Sequence, residues 1–151
     1  MTTDTVVRRS ITVEAPPERA FEVFTSGMTG WWPREYHIGE NPPDEIVMEP
    51  RAGGRWYERD AAGAESDWGF VTEWEPPTRV LLAWHLDPQW AFDPDKGTPL
   101  EIRFTPAEGG TLVELEHSGF EVHGDQAAAM LEAIGSDGGW AGLLQKYAAA
   151  V

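Results

Sequence analysis

An α+β fold, with a curved antiparallel sheet closed by a C-terminal helix, is predicted by three features of this 151-residue sequence. Between residues 44 and 120, turn signals rich in Pro and Gly cut the chain into short runs that alternate apolar and polar side chains, as antiparallel strands do. One amphipathic helical stripe precedes that stretch, and two follow it. Strand, helix, about six strands and terminal helix, in that order, place helices on one face of a sheet that must curl around them.

The first strand is expected over residues 5–14, where Val7, Ile11 and Val13 share a face with Arg9 on its apolar side or at its edge. A helix then starts at Ala15-Pro16-Pro17-Glu18. Pro in the first turn needs no N–H partner, Glu18 suits the positive end of the helix dipole, and Ala20, Phe21 and Phe24 form a stripe ending near Gly27. Residues 28–43 read as a loop that holds Trp31-Trp32-Pro33 and His37. Strands follow at 44–50, 55–60, 67–74 and 79–86, separated by turns at Gly53-Gly54, 61–63 and Pro76-Pro77. A second aromatic loop carries Trp90 and Phe92. The last hairpin joins 100–105 to 111–120, so the sheet has six to seven strands in all. In it Leu100, Ile102 and Phe104 share a buried face with Val113 and Leu115. That alternation puts His117 on the apolar side and Glu101, Arg103, Glu114 and Glu116 on the other. The C-terminal segment has one stripe at Ala127, Met130, Leu131 and Ile134 and a second at Trp140, Leu143, Leu144, Tyr147 and Val151. The two are out of phase, so a break is expected at 135–139, with Ser136 or Asp137 capping the final helix.

One domain spanning residues 1–151 is expected, because a chain of this length buries a sizeable core unaided and neither a linker nor an internal repeat divides it. Eleven Lys and Arg stand against 26 Asp and Glu, a formal charge of −15. Nucleic-acid phosphates and anionic membrane surfaces repel such a body, so neither is an expected partner. Ile, Leu, Val and Phe supply only 30 residues, which leaves eight Trp, three Tyr and four Met to carry much of the burial. A core packed from rings, or a cavity lined by them, follows. The lack of cysteine excludes disulfides and thiol nucleophiles. The first ten residues have no export-signal apolar region, and the longest apolar run, 80–84, falls far short of the roughly 18 residues of a membrane span, so a cytoplasmic location is expected.

His117, a titratable group on an apolar strand face, is the leading candidate for a polar anchor or base toward a bound molecule; the plainer alternative is a core histidine bonded to a carbonyl. His37 could guard a cavity mouth, His85 points away from Leu82 and Trp84, and His123 is expected at the surface. No histidine pair has metal-site spacing, no serine sits in Gly-X-Ser-X-Gly, and no Gly-rich turn leads into a phosphate-binding helix, so no metal or cofactor is expected. Glu114 and Glu116 could form an acid and base pair, although a solvated face balanced by Arg103 is the favoured reading. Trp56, Trp84, Trp140 and Tyr147 fall on stripes aimed at the helix-to-sheet interface, whereas Trp31, Trp32 and Trp90 come from loops.

These residues resemble the START-like (SRPBCC) superfamily and, within it, the proteins named for homology to the activator of the ninety-kilodalton heat-shock chaperone's ATPase. The likeness runs from Ile11-Thr12-Val13-Glu14-Ala15-Pro16-Pro17 through Trp31-Trp32-Pro33, Gly53-Gly54-Arg55-Trp56 and Trp68-Gly69-Phe70, then Glu116-His117-Ser118-Gly119-Phe120, to Gly139-Trp140. It implies a helix-grip, pollen-allergen-like fold with a cavity, shared by lipid carriers, polyketide cyclases and chaperone cofactors, and no fixed catalytic set. The activator also has an N-terminal chaperone-engaging domain to which nothing in these 151 residues corresponds. The first functional expectation is a binding protein for an apolar or aromatic small molecule. Trp32 and His37 would stand at the mouth, Trp56, Trp84 and Phe104 would be walls, Trp140 and Tyr147 would come from the helix, and His117 would be the anchor. The alternatives are a cyclase or dehydratase using His117 with Glu58 or Glu116, and a chaperone cofactor acting by surface contact; a homodimer is a further possible assembly.

Overall fold

The structure, a computed structural model, describes residues 6–151. Among these residues, strands form at Val7–Val13 (β1), Glu45–Met48 (β2), Arg55–Arg59 (β3), Glu65–Glu75 (β4), Arg79–Trp84 (β5), Thr98–Ala107 (β6) and Gly110–His117 (β7). Helices form at Pro17–Phe24 (α1), Ala127–Gly135 (α2) and Trp140–Ala150 (α3), with 3₁₀ turns at Met28–Gly30 and Phe120–Gln126. Thr5, the expected start of the first strand, lies outside the described residues.

The strands make one antiparallel sheet in the order β1-β7-β6-β5-β4-β3-β2. From β2 to β7 each strand pairs with its neighbour in sequence, and β1 is brought to β7 by the helix and loop that follow it. The expected face of the last hairpin is observed: Leu100 pairs with His117, Ile102 with Leu115 and Phe104 with Val113, all buried. Arg103 stands opposite Glu114 but bonds Glu101, which also holds Arg79 on the outer face. Strand β7 stops at His117 rather than 120, because Ser118 N–H turns to the Pro99 carbonyl and Gly119 takes φ +80°, a left-handed conformation suited to glycine.

Two bulges bend the sheet. The pairing of β3 with β4 skips Trp68, and that of β4 with β5 skips Thr72. Strict alternation would put Trp68 and Phe70 on one face; the first bulge turns Trp68 inward and leaves Phe70 outside. Gly69 is what allows it, since a Cβ there would lie 1.9 Å from the Ala83 carbonyl oxygen.

The helices fill the concave side from two ends. α1 packs on β6 and β7, where Phe21 meets Trp74 and Phe104 edge-on and Phe24 meets Trp31 and Tyr147. α3 lies against β1, and the Tyr147 hydroxyl donates to the Ala20 carbonyl at 2.8 Å, which ties α3 to α1. Between α2 and α3 the break falls where the phase change placed it. Neither Ser136 nor Asp137 caps α3, however. The Ser136 hydroxyl instead donates to Ala133 O at the end of α2, and Gly139 occupies the N-cap position before α3, where a Cβ would meet the Ile134 carbonyl at 2.1 Å. His123 is buried, contrary to expectation, because the 3₁₀ turn folds its ring inward while Lys96 reaches over to the Val122 carbonyl.

Gly69→Ala is expected to destabilise the protein by at least about 2 kcal/mol, through overpacking against β5 backbone that has no side chain to move. Urea unfolding of the two proteins measures it.

Candidate functional site

Tryptophans from four separate elements converge beyond the end of the channel that α1 fills. Trp32 leaves the 28–44 loop, Trp68 is turned in by the bulge of β4, Trp84 ends β5, and Trp140 starts α3. They meet edge-on or tilted: Trp32 and Trp68 at 4.9 Å between ring centres, Trp32 and Trp140 at 6.0 Å, Trp84 and Trp140 at 5.8 Å. A pocket of about 460 Å³ lies among them. Its remaining wall comes from Glu35, Tyr36, His37 and Ile38 of the loop, Leu86 and Trp90, and the joint between α2 and α3.

Of the residues expected at a site, Trp32, His37, Trp84 and Trp140 line this pocket. Trp56 stands behind it, packed edge-on against Trp68 and Trp84. Phe104 and Tyr147 belong to the α1 end of the core, where they contact Phe24. His117 lies beneath Trp84 and Trp140, outside the lining. Tyr36 and Trp90 were not among the expected set, and they are the exposed rings at the mouth, 41% and 44% accessible. Trp90 has φ +61°, a strained value for so bulky a residue, set by a turn in which its N–H reaches the Asp87 carbonyl.

Glu58 holds the loop in place. Its carboxylate is buried on the concave side and accepts the Trp68 indole N–H at 2.9 Å, the Ile38 amide at 2.7 Å and the Gly39 amide at 3.3 Å. The His37 ring follows from this anchoring. Its Nδ1–H donates to the Gly39 carbonyl at 2.8 Å, which leaves Nε2 as the acceptor of the neutral ring. Among the described residues no group of three His, Asp or Glu side chains could hold a metal ion, and no helix is long and apolar enough to cross a membrane.

The tautomer of His117 is dictated by its neighbours. Trp140 Nε1–H can only donate, and it reaches His117 Nδ1 at 3.1 Å; the ring proton therefore sits on Nε2 and is given to Thr98 Oγ1 at 2.8 Å. The Thr98 hydroxyl passes its own proton to the Trp84 carbonyl at 3.2 Å. Both imidazole nitrogens are thus engaged. Glu116 lies on the opposite face of β7, beside Arg8, and Glu58 is engaged with the loop, so neither carboxylate completes an acid–base pair with His117.

A family model described as activator of Hsp90 ATPase homolog 1-like protein matches residues 14–151. No curated protein matches the chain. Among solved structures, an anthrahydroquino-gamma-pyrone synthase, Txn09, complexed with SUM, is 36% identical, with 98% of this chain and 97% of that one covered at a TM-score of 0.68. CalC, a self-sacrificing resistance protein from Micromonospora echinospora, is 28% identical over 97% of this chain and 93% of its own, with a TM-score of 0.68. The Aha1 dimer from Colwellia psychrerythraea is 20% identical over 94% and 92%, with a TM-score of 0.61, and shows the fold alone.

The burial of His117 makes stability pH-dependent. Desolvation, aided by His123 nearby, lowers its pKa from 6.5 to about 3. Between those values the unfolded chain holds a proton that the folded chain refuses, so stability is complete above pH 6.5 and is lost as the pH falls toward 3. His123, also lowered by burial, acts in the same direction, whereas the lowered carboxylates act only below their ordinary values, 3.8 for Asp60 and 4.5 for Glu65 and Glu101. Urea unfolding between pH 6 and 5 should show a loss approaching ~1.4 kcal/mol per pH unit from His117, and His117→Gln should remove that slope.

Proposed function

Because the chain belongs to the family of activator of Hsp90 ATPase homologue 1-like proteins, whose shared fold holds a pocket here, we propose that it binds a flat, multi-ring aromatic molecule of the polyketide kind in that pocket. The observation that carries this reading is the wall itself: Trp32, Trp68, Trp84 and Trp140 around about 460 Å³, a size typical of small-molecule sites. Indole faces and edges favour other aromatic rings by offset and edge-on contact, a preference that an alkyl chain does not share. The two rings at the mouth support the same reading. Trp90 contributes little to the core while holding a strained backbone, an arrangement that stabilises nothing in the free protein and suits a ring that covers a ligand. Txn09, 36% identical, is named as the synthase of an anthrahydroquino-gamma-pyrone, a fused aromatic skeleton.

That same likeness favours a second reading, in which the bound molecule is also cyclised. The group placed for proton transfer is then His37, which lines the pocket with Nε2 left as acceptor, and not His117. His37→Gln would abolish turnover and retain binding; turnover that survives the change removes His37 from that role.

Titration of the tryptophan fluorescence with 9,10-anthraquinone is expected to give saturable quenching, at least roughly tenfold tighter than any response to palmitate, since ring contacts add to area burial. No saturable change with the aromatic would overturn the proposal. Trp90→Gly is expected to weaken that binding severalfold while leaving the unfolding midpoint unchanged or raised, because glycine adopts φ +61° without strain.

A further inference from the structure

Resting on the pocket reading above, we infer that the bound ring system carries a protonated amine at its outer edge, recognised at the pocket mouth by the Glu35 carboxylate together with acceptor atoms of His37 and Ser136. The buried part of the pocket wall is apolar apart from indole N–H groups. Polar side chains come to the lining from Glu35, Tyr36, His37 and Ser136, and all four residues are exposed or half-buried, so solvent and a ligand can reach them.

Glu35 is the one carboxylate in that lining, which among the described residues contains no lysine or arginine. No described residue bonds to it or pairs with it. Arg34, its neighbour in sequence, turns instead to the Pro43 carbonyl at 3.1 Å and to Asp44 at 3.6 Å. The backbone beside Glu35 is held, however. The Tyr36 N–H closes a turn on the Pro33 carbonyl at 3.0 Å, and the Tyr36 carbonyl accepts the Trp32 indole N–H at 2.9 Å. An unengaged carboxylate thus projects from a fixed point on the rim.

The other polar groups match it in kind. His37 donates Nδ1–H to the Gly39 carbonyl, which leaves Nε2 as an acceptor. The Ser136 hydroxyl donates its proton to the Ala133 carbonyl at 2.7 Å, which leaves the lone pairs of its oxygen. Three of the four polar side chains therefore offer acceptors, and the fourth, the Tyr36 hydroxyl, can donate or accept. An ammonium has three N–H donors and no lone pair, so it complements this set. Tyr36 and Trp90, the exposed rings of the mouth, add faces that attract a cation. A carboxylate on the ligand would instead meet Glu35 as a like charge.

The experiment titrates tryptophan fluorescence at pH 7.5 with three anthraquinones that differ at one substituent: 2-(aminomethyl)-, 2-(hydroxymethyl)- and 2-carboxy-9,10-anthraquinone. The amine is expected to bind roughly fivefold more tightly than the alcohol, the sum of a solvent-exposed ion pair and a cation–ring contact, and the carboxylate more weakly than either. Glu35→Gln, an isosteric change at an exposed position, is expected to bring amine and alcohol within about twofold of each other. Glu108→Gln removes the same charge from the turn between β6 and β7, whereas Trp84 of the pocket wall pairs with Thr98 at the opposite end of β6, and it should leave the preference intact. The inference is overturned if amine and alcohol bind the unmodified protein equally, if the preference survives Glu35→Gln, or if Glu108→Gln diminishes it as much, which would assign it to the overall charge of −15. Equal, saturable binding of all three leaves the pocket reading standing without this inference; no saturable binding of any removes both.

Discussion

A single file of hydrogen bonds running in one direction joins the last helix to three strands: the Trp140 indole to His117, His117 to the Thr98 hydroxyl, and that hydroxyl to the Trp84 carbonyl. Each donor in it has one acceptor and each acceptor is used, so the polar groups are buried without an unsatisfied member. The file crosses β7, β6 and β5, and it therefore sets how close α3 stands to the sheet just where the pocket begins. His117 is a part of the frame in this arrangement. Its neutrality is required, because a proton on Nδ1 would face the N–H of Trp140.

The concave face is divided by what enters from each end. α1 brings Phe21 and Phe24 against Phe104, Trp31 and Tyr147, and that half is solid. The other half is bordered by the loop tied to Glu58, the turn that carries Trp90, and the end of α2 and start of α3 on either side of Gly139. Space remains there because loops and a helix joint supply edges and tips of side chains rather than a continuous packed stripe. The aromatic richness that compensates for few aliphatic residues thus has two uses, as filling at one end and as lining at the other.

The strand sequence, the inward face of the last hairpin, the break between the two C-terminal stripes and the inward position of His117 were legible, because each depends on period-two or helical alternation that the sequence carries locally. The position of a residue along the channel was not. Alternation puts Phe104 and Trp84 on the same face, but only the docking of α1 decides that Phe104 meets Phe24 while Trp84 borders the pocket. Trp68 escaped notice because a bulge, which has no signature stronger than the adjacent Gly69, reversed its face. The partners of His117 and Glu58 lie 10 to 23 residues away in sequence, and no spacing rule connects them. Ser136 has a capping side chain, but a hydroxyl in a short break can turn to either side, and here it serves the end of α2 rather than the start of α3.

The sheet order carries a consequence for how the chain is made. Strands β2 to β7 can form as successive hairpins while the polypeptide leaves the ribosome, but β1, synthesised first, pairs with residues 111–117 and must wait for almost the whole sheet to emerge. During that interval Val7 and Val13 have no partner strand, and a row of polar residues between them, Arg8, Arg9 and Ser10, keeps the waiting segment hydrated. The N-terminal strand is therefore the seam at which the nascent protein closes.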